Sequence, residues 1–167
     1  MKREPWRREL AAYPFQTEIA PRWSDVDTLR HLNNVALMGL HGEARMRWLA
    51  TRVGHSGVDA DQPALRPVSV ATDFVAQAHY PQPLQVGVRL RAVDADGFEL
   101  ATALFQHGHC VGLAATRMAA WQDGRPGALP NDLRERLDQA LADQPALPPP
   151  PADHPHAHDG AIDHHAA

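Results

Sequence analysis

The stretch "NVALMGLHGEARMRWLATRV", residues 34–53, has helical periodicity, whereas the four stretches after it alternate with a period of two. That contrast limits the folds open to the chain more than any other feature. Val35, Met38, Gly42, Met46, Leu49 and Val53 fall on one helical stripe, and Leu37, Leu40, Ala44 and Trp48 fall on a neighbouring one. Two adjacent apolar stripes predict a helix buried over much of its circumference and roughly 30 Å long. Gly39 and Gly42 each cost about 1 kcal/mol of helix propensity relative to alanine, which predicts close backbone packing at both.

Beyond the loop "GHSGVDADQP", Val68, Val70, Thr72, Phe74 and Ala76 alternate with Ser69, Ala71, Asp73, Val75 and Gln77. The same pattern recurs in "LQVGVRLRAV", "FELATALFQH" and "CVGLAATRMAAW". "HYPQP", "DADG" and "HGH" separate these strands, with the glycine of "DADG" supplying positive φ, and short connections predict an antiparallel meander. Upstream, "QTEIAPRW" puts Thr17, Ile19 and Trp23 on one face of a further strand, where Pro21 signals an edge or a bulge. "LPNDLRERLDQALA" reads as a short terminal helix capped by Asn131 or Asp132. The expected class is α+β: one long helix against a single antiparallel sheet.

A chain of 167 residues with 44% hydrophobic content supports one domain with a proper core. Its formal net charge of -4 argues against holding nucleic acid by broad charge neutralisation. Cys110 is the sole cysteine, so there is no internal disulfide and no cysteine cluster for structural zinc, and a reducing, cytoplasmic setting fits best. No run approaches the roughly 18–20 apolar residues of a membrane span. From Pro145 onward, "PALPPPPADHPHAHDGAIDHHAA" offers prolines and five histidines but almost no large apolar side chain. The expected organisation is an N-terminal extension (1–13), a folded domain (14–143) and a disordered Pro/His-rich tail (144–167).

The chemistry-bearing stretch is "WSDVDTLRHLNN", residues 23–34, which leads from the first strand into the long helix. Asp27 precedes His31 by four residues and Asn34 by seven, so a strand-end carboxylate can face the first free N–H groups of the helix. The plainer reading is capping: Asp and Asn oxygens before a helix satisfy those same N–H groups. Standing alone, the motif favours capping.

"DVDTLRHLNN", together with "GEARMRWL" and "HYPQPLQVGVRLRAV", resembles the acyl-CoA thioesterases of the 4-hydroxybenzoyl-CoA thioesterase family, over residues 14–142 or so. The resemblance implies a hotdog fold, a long central helix wrapped by a curved antiparallel sheet of about five strands. It implies hydrolysis of an acyl-CoA thioester, with Asp27 as nucleophile or general base and the Asn34 backbone N–H as oxyanion donor. His31 and Asn33 would orient water, carbonyl or carboxylate. It also implies that two protomers build each site, in a homodimer or homotetramer. No metal, no redox cofactor, no nucleic acid and no membrane partner is implied. Two positions depart from the family pattern: Arg30 stands where glycine is common, and Leu37 where tyrosine is frequent. Both fall where substrate would bind.

Rival groups have plainer readings. Glu43, on the helix, is a candidate substrate-binding or catalytic acid, or the partner of Arg47 at i+4. Cys110 is a candidate nucleophile because plant acyl-carrier-protein thioesterases resemble this motif and have been assigned a Cys with His and Asn. Leu29 stands where they place the asparagine, and Cys110 reads better as a small apolar residue. Arg89, Arg91 and Arg117 lie on strands, either lining a solvent face or serving CoA phosphates. The alternative functions are an acyl-carrier-protein thioesterase and a non-catalytic acyl-CoA-binding hotdog protein.

Overall fold

The structure is a computed structural model that describes residues 4–57, 61–122 and 124–147. The reading of residues 148–167 as a disordered tail lies outside them. Asn34–Val53 forms one uninterrupted helix, α1. The Asn33 side chain caps it, accepting from the Ala36 N–H at 2.8 Å. Gly54, left-handed at φ 63°, closes its other end through a bond from its N–H to the Leu49 carbonyl. Leu37, Leu40, Ala44, Trp48, Leu49 and Val53 are buried. The stripe of Val35 and Met38 is only half covered, since these two are 78% and 45% exposed. A Cβ at Gly39 would meet nothing within 4 Å, and one at Gly42 only the Arg45 guanidinium at 3.7 Å. The close packing expected at these glycines is therefore absent within the chain.

Six antiparallel strands make one sheet: β1 (Phe15–Ile19), β2 (Ala64–Phe74), β3 (Leu84–Val93), β4 (Gly97–Gln106), β5 (His109–Gln122) and the short β6 (Arg125–Gly127). The order is β1-β3-β4-β5-β2, with β6 also pairing β5. Only β3, β4 and β5 form the expected meander; β2 sits at the far edge against β5, not beside β3. An extended chain covers about 3.3 Å per residue, so residues 75–83 easily cross three inter-strand gaps of about 4.8 Å. The "HYPQP" turn is thus a crossover. β1 is an edge strand, as Pro21 signals, but it stops at Ile19. Trp23–Asp25 is a 3-10 turn, and Trp23 is 74% exposed instead of sharing a face with Ile19.

The main core fills the space between α1 and the sheet, with Val86, Val88, Leu90, Leu100, Leu104 and Met118 beneath the helix. The helix α2 (Asn131–Ala142) adds Leu133 and Leu137. Its N-cap is Pro130 and no side chain caps it, so Asn131 and Asp132 belong to its first turn instead of preceding it. A second cluster covers the opposite face of the sheet: Trp6, Ala12 and Tyr13 pack on Ala101, Ala103, Phe105 and Leu113. Arg7, 2% exposed, donates to the Ala114 carbonyl at 2.6 Å, and the Tyr13 hydroxyl donates to the Arg7 carbonyl at 2.8 Å. Residues 4–13 are therefore a packed cover for the sheet. Past α2, the Gln144 side chain exchanges two bonds with the Leu90 backbone, both 2.9 Å, which ties the first tail residues to β3.

Candidate active site

The loop before α1 folds on the Asp27 carboxylate. Its Oδ1 accepts from the Leu29 N–H at 2.8 Å and the His31 N–H at 3.2 Å. The Asp27 N–H donates to the His31 carbonyl at 2.9 Å, and the Arg30 N–H to the Asp27 carbonyl at 3.0 Å. An Asp side chain bonding the backbone two residues on is a turn device, and here it leaves Oδ2 without a protein partner among the described residues. Closing so tight a loop forces Arg30 to φ 64°. This is the physical reason for the glycine common at that position in the family it resembles. Arg30→Gly is expected to stabilise the fold by about 0.5–1 kcal/mol, read as a rise in the urea midpoint.

The same loop is pinned to the crossover. The Leu32 N–H donates to the Ala78 carbonyl and the Asn33 N–H to the Asp25 carbonyl, both at 2.8 Å. Gln106, 5% exposed, holds the crossover from beneath: its Oε1 accepts from the His79 N–H and its Nε2 donates to the His79 carbonyl, both at 2.8 Å. The His31 and His79 rings meet edge to face at 4.9 Å, and Trp23 and Tyr80 at 5.6 Å. Sequence reasoning left out the crossover, because only the β2 displacement brings residues 74–79 to the motif.

Asp27, His31, Asn33, Asn34 and Leu37 line one cleft of about 570 Å³, closed on its other side by residues 74–77. The Asn33 side-chain oxygen is committed to the cap. Among the described residues nothing accepts from the Asn34 N–H, which opens the first turn of α1 at the positive end of the helix dipole. A partner-free carboxylate oxygen and a partner-free helix amide thus border one cleft. A larger groove of about 740 Å³ between α1 and α2 contains none of these residues.

The other candidates lie elsewhere. Arg30 is exposed beside the cleft, not in its wall, and Leu37 is buried in that wall. Glu43 is exposed and pairs with Arg47 at 2.9 Å, and Arg47 also reaches Thr17 and the Glu18 carbonyl. Cys110 packs with the opposite-face cluster, and burial pushes its thiol pKa up, which disfavours the thiolate a nucleophile needs. Arg89 bonds the Ala12 and Pro145 carbonyls, Arg91 pairs with Glu4, and Arg117 pairs with Asp94 and Asp96. All three are occupied within the chain. Among the described residues no group of three or more His, Cys, Asp or Glu side chains could hold a metal ion.

One buried histidine on α1 escaped the sequence reading. His41 is 3% exposed, with Nδ1 2.7 Å from Thr102 Oγ1. Burial, and then the positive charges of Arg7 and Arg45, lower its pKa from 6.5 to about 3. Below pH 6.5 the unfolded chain takes up a proton that the folded chain refuses until about pH 3. Stability from this group is complete above 6.5 and falls by about 1.4 kcal/mol per unit as pH drops through that window. Between pH 7 and 5, the wild type is expected to lose about 2 kcal/mol more unfolding free energy than His41→Leu. Urea unfolding at both pH values measures this, and equal losses would contradict the buried neutral ring.

The match to known proteins agrees with this geometry. A family model described as the thioesterase-like superfamily matches residues 21–137. No curated protein sequence matches the chain. Among solved structures, a thioesterase from Thermus thermophilus, complexed with coenzyme A and Zn, is 20% identical with a TM-score of 0.68, over 78% of this chain and 96% of its own. The PA5185 protein from Pseudomonas aeruginosa is 26% identical with a TM-score of 0.64, over 80% and 96%. Slr0204 from Synechocystis, a 1,4-dihydroxy-2-naphthoyl-CoA thioesterase, is 20% identical with a TM-score of 0.65, over 77% and 96%. These likenesses establish the hotdog arrangement of one long helix on an antiparallel sheet. With the family model spanning most of the folded chain, the protein belongs to the thioesterase-like superfamily.

Proposed function

We propose that the protein hydrolyses an acyl-CoA thioester to free CoA and a carboxylic acid. The observation that carries this reading is the cleft in which the Asp27 carboxylate and the partner-free Asn34 N–H meet at the start of α1. Hydrolysis needs an oxygen nucleophile at the carbonyl carbon and donors for the charge that develops on its oxygen. The Asn34 amide, fixed by the Asn33 cap, supplies the donor. Asp27 supplies the other half by one of two routes. As general base it takes the proton of the attacking water and returns it to the sulfur as the C–S bond breaks. As nucleophile it forms a mixed anhydride as CoA leaves, which water then hydrolyses to the acid, its proton going to the thiolate. His31 stands in the same wall, close enough to orient water or carbonyl. Coenzyme A in the Thermus structure supports the choice of carrier.

The site is completed by a second copy in a homodimer or homotetramer. Leu29 and Val35, 71% and 78% exposed, stand at the cleft, and β2 presents Val68, Val70 and Phe74 along an edge that no strand of the described residues covers. A single, partly buried cysteine suits a reducing cytoplasm. No helix of the described residues is long and apolar enough to cross a membrane. Offering one acyl group on CoA and on acyl-carrier protein tests the carrier: faster thiol release from CoA supports the proposal. Faster release from the carrier protein reassigns the substrate while keeping the reaction.

A further inference from the structure

Among the described residues, two buried polar atoms on the α1 side of the sheet lie without hydrogen-bond partners. His41 has its Nδ1 on Thr102, which is 1% exposed, and its Nε2 meets no hydrogen-bond partner. Thr72 Oγ1 on β2 is likewise buried and unpartnered. Leaving such an atom unsatisfied is costly, and buried polar groups without partners are few in folded chains. Thr72, Ala114 and Thr102 form one cross-strand row, so Thr72 faces the same side of the sheet as the threonine that holds His41. The Nε2 lies over Gly112, where a Cβ would stand only 3.3 Å away. Glycine leaves room there that a side chain would fill.

The niche lies one helical turn beyond the cleft wall. Leu37, in the cleft wall, precedes His41 by one helical turn, and Phe74, in the opposite wall, pairs with Gly112 and shares a strand face with Thr72. From Asn34 to His41 the helix advances roughly 10 Å. A group bound at His41 is therefore remote from a carbonyl held at the first turn.

We propose that His41 and Thr72 are the polar end of the acyl site and select a medium-chain acyl group hydroxylated near its far end. The inference rests on the thioesterase reading above. A hydroxyl both donates and accepts, so it can bridge Nε2 and Thr72 Oγ1 whichever tautomer the Thr102 contact imposes. The ring is neutral, its pKa lowered to about 3 by burial and then by Arg7 and Arg45, so it offers no charge to a carboxylate. Arg45, part-buried on α1, turns its guanidinium toward Gly42, while the atoms nearest a Cβ at Gly112 are His41 Nε2, Leu104 Cδ1 and the Asp73 carbonyl oxygen. A site built to bond a hydroxyl strongly rejects the analogue lacking it.

The test compares kcat/KM for a linear medium-chain acyl-CoA and its ω-hydroxy derivative. Wild type is expected to favour the hydroxy substrate at least about tenfold, and His41→Leu to lose that preference while still hydrolysing the unsubstituted chain. Thr72→Val, at a position closer to the surface, should weaken the preference even if the histidine variant folds poorly. Equal rates on both substrates in wild type, or a preference surviving both substitutions, would overturn the proposal. If wild type hydrolyses neither, calorimetry with the same pair separates the two readings. Tenfold tighter binding of the hydroxy compound then keeps this site and removes only the hydrolysis, while equal or absent binding removes the site as well.

Discussion

Asp27→Asn is expected to lower thioester turnover by about 10²–10⁴ while leaving acyl-CoA binding within a few-fold of wild type. Asparagine keeps the oxygen that accepts from the Leu29 and His31 N–H groups, so the loop retains its shape. What it loses is the basic and nucleophilic carboxylate, on which both versions of the proposed chemistry depend. Steady-state kinetics beside a binding isotherm separate the effects. A fall in kcat at constant affinity marks a group that acts in the transition state, whereas equal loss of binding and turnover would make Asp27 a structural turn residue. The cap and the cleft carboxylate belong to different residues of one loop: Asn33 holds the helix and Asp27 faces the cleft.

Gly97→Ala is expected to destabilise the fold by about 3 kcal/mol or more, enough to lower the urea midpoint sharply. A Cβ at Gly97 would collide with the Met118 carbonyl oxygen and stand 3.1 Å from the Ala119 Cα. Both are backbone atoms of β5, so relief requires parting β5 from the first residue of β4. The glycine in "DADG" suggested a residue needed for positive φ, yet Gly97 is not left-handed. Its requirement is space. A midpoint within about 0.5 kcal/mol of wild type would contradict this close approach.

The helix and the strands were legible because their periodicities differ and because each apolar set is long enough to declare its face. Strand order was not, since a period of two says which residues point inward and nothing about which strand is the neighbour. That is why β2 was expected beside β3 but lies against β5. Two readings failed at boundaries: the Trp23 turn and the Pro130 start of α2, where one residue of slip changes a cap into a first-turn residue. The site was half legible. Asp27, His31, Asn33 and Asn34 are contiguous and keep company in three dimensions, whereas residues 74–77 reach them only through the crossover. The left-handed Arg30 was visible as an odd residue for its place, though the reason required the closed loop. His41 hid inside an apolar stripe whose other members are ordinary core.

The central claim is tested most directly by thiol release from a panel of acyl-CoA substrates spanning short, medium and aromatic acyl groups. The account predicts enzyme-dependent release of free CoA from at least one of them, proportional to protein concentration and abolished to near background by Asp27→Asn. Wild-type protein that binds acyl-CoA but releases no thiol across the whole panel would contradict it and leave an acyl-CoA-binding protein in its place.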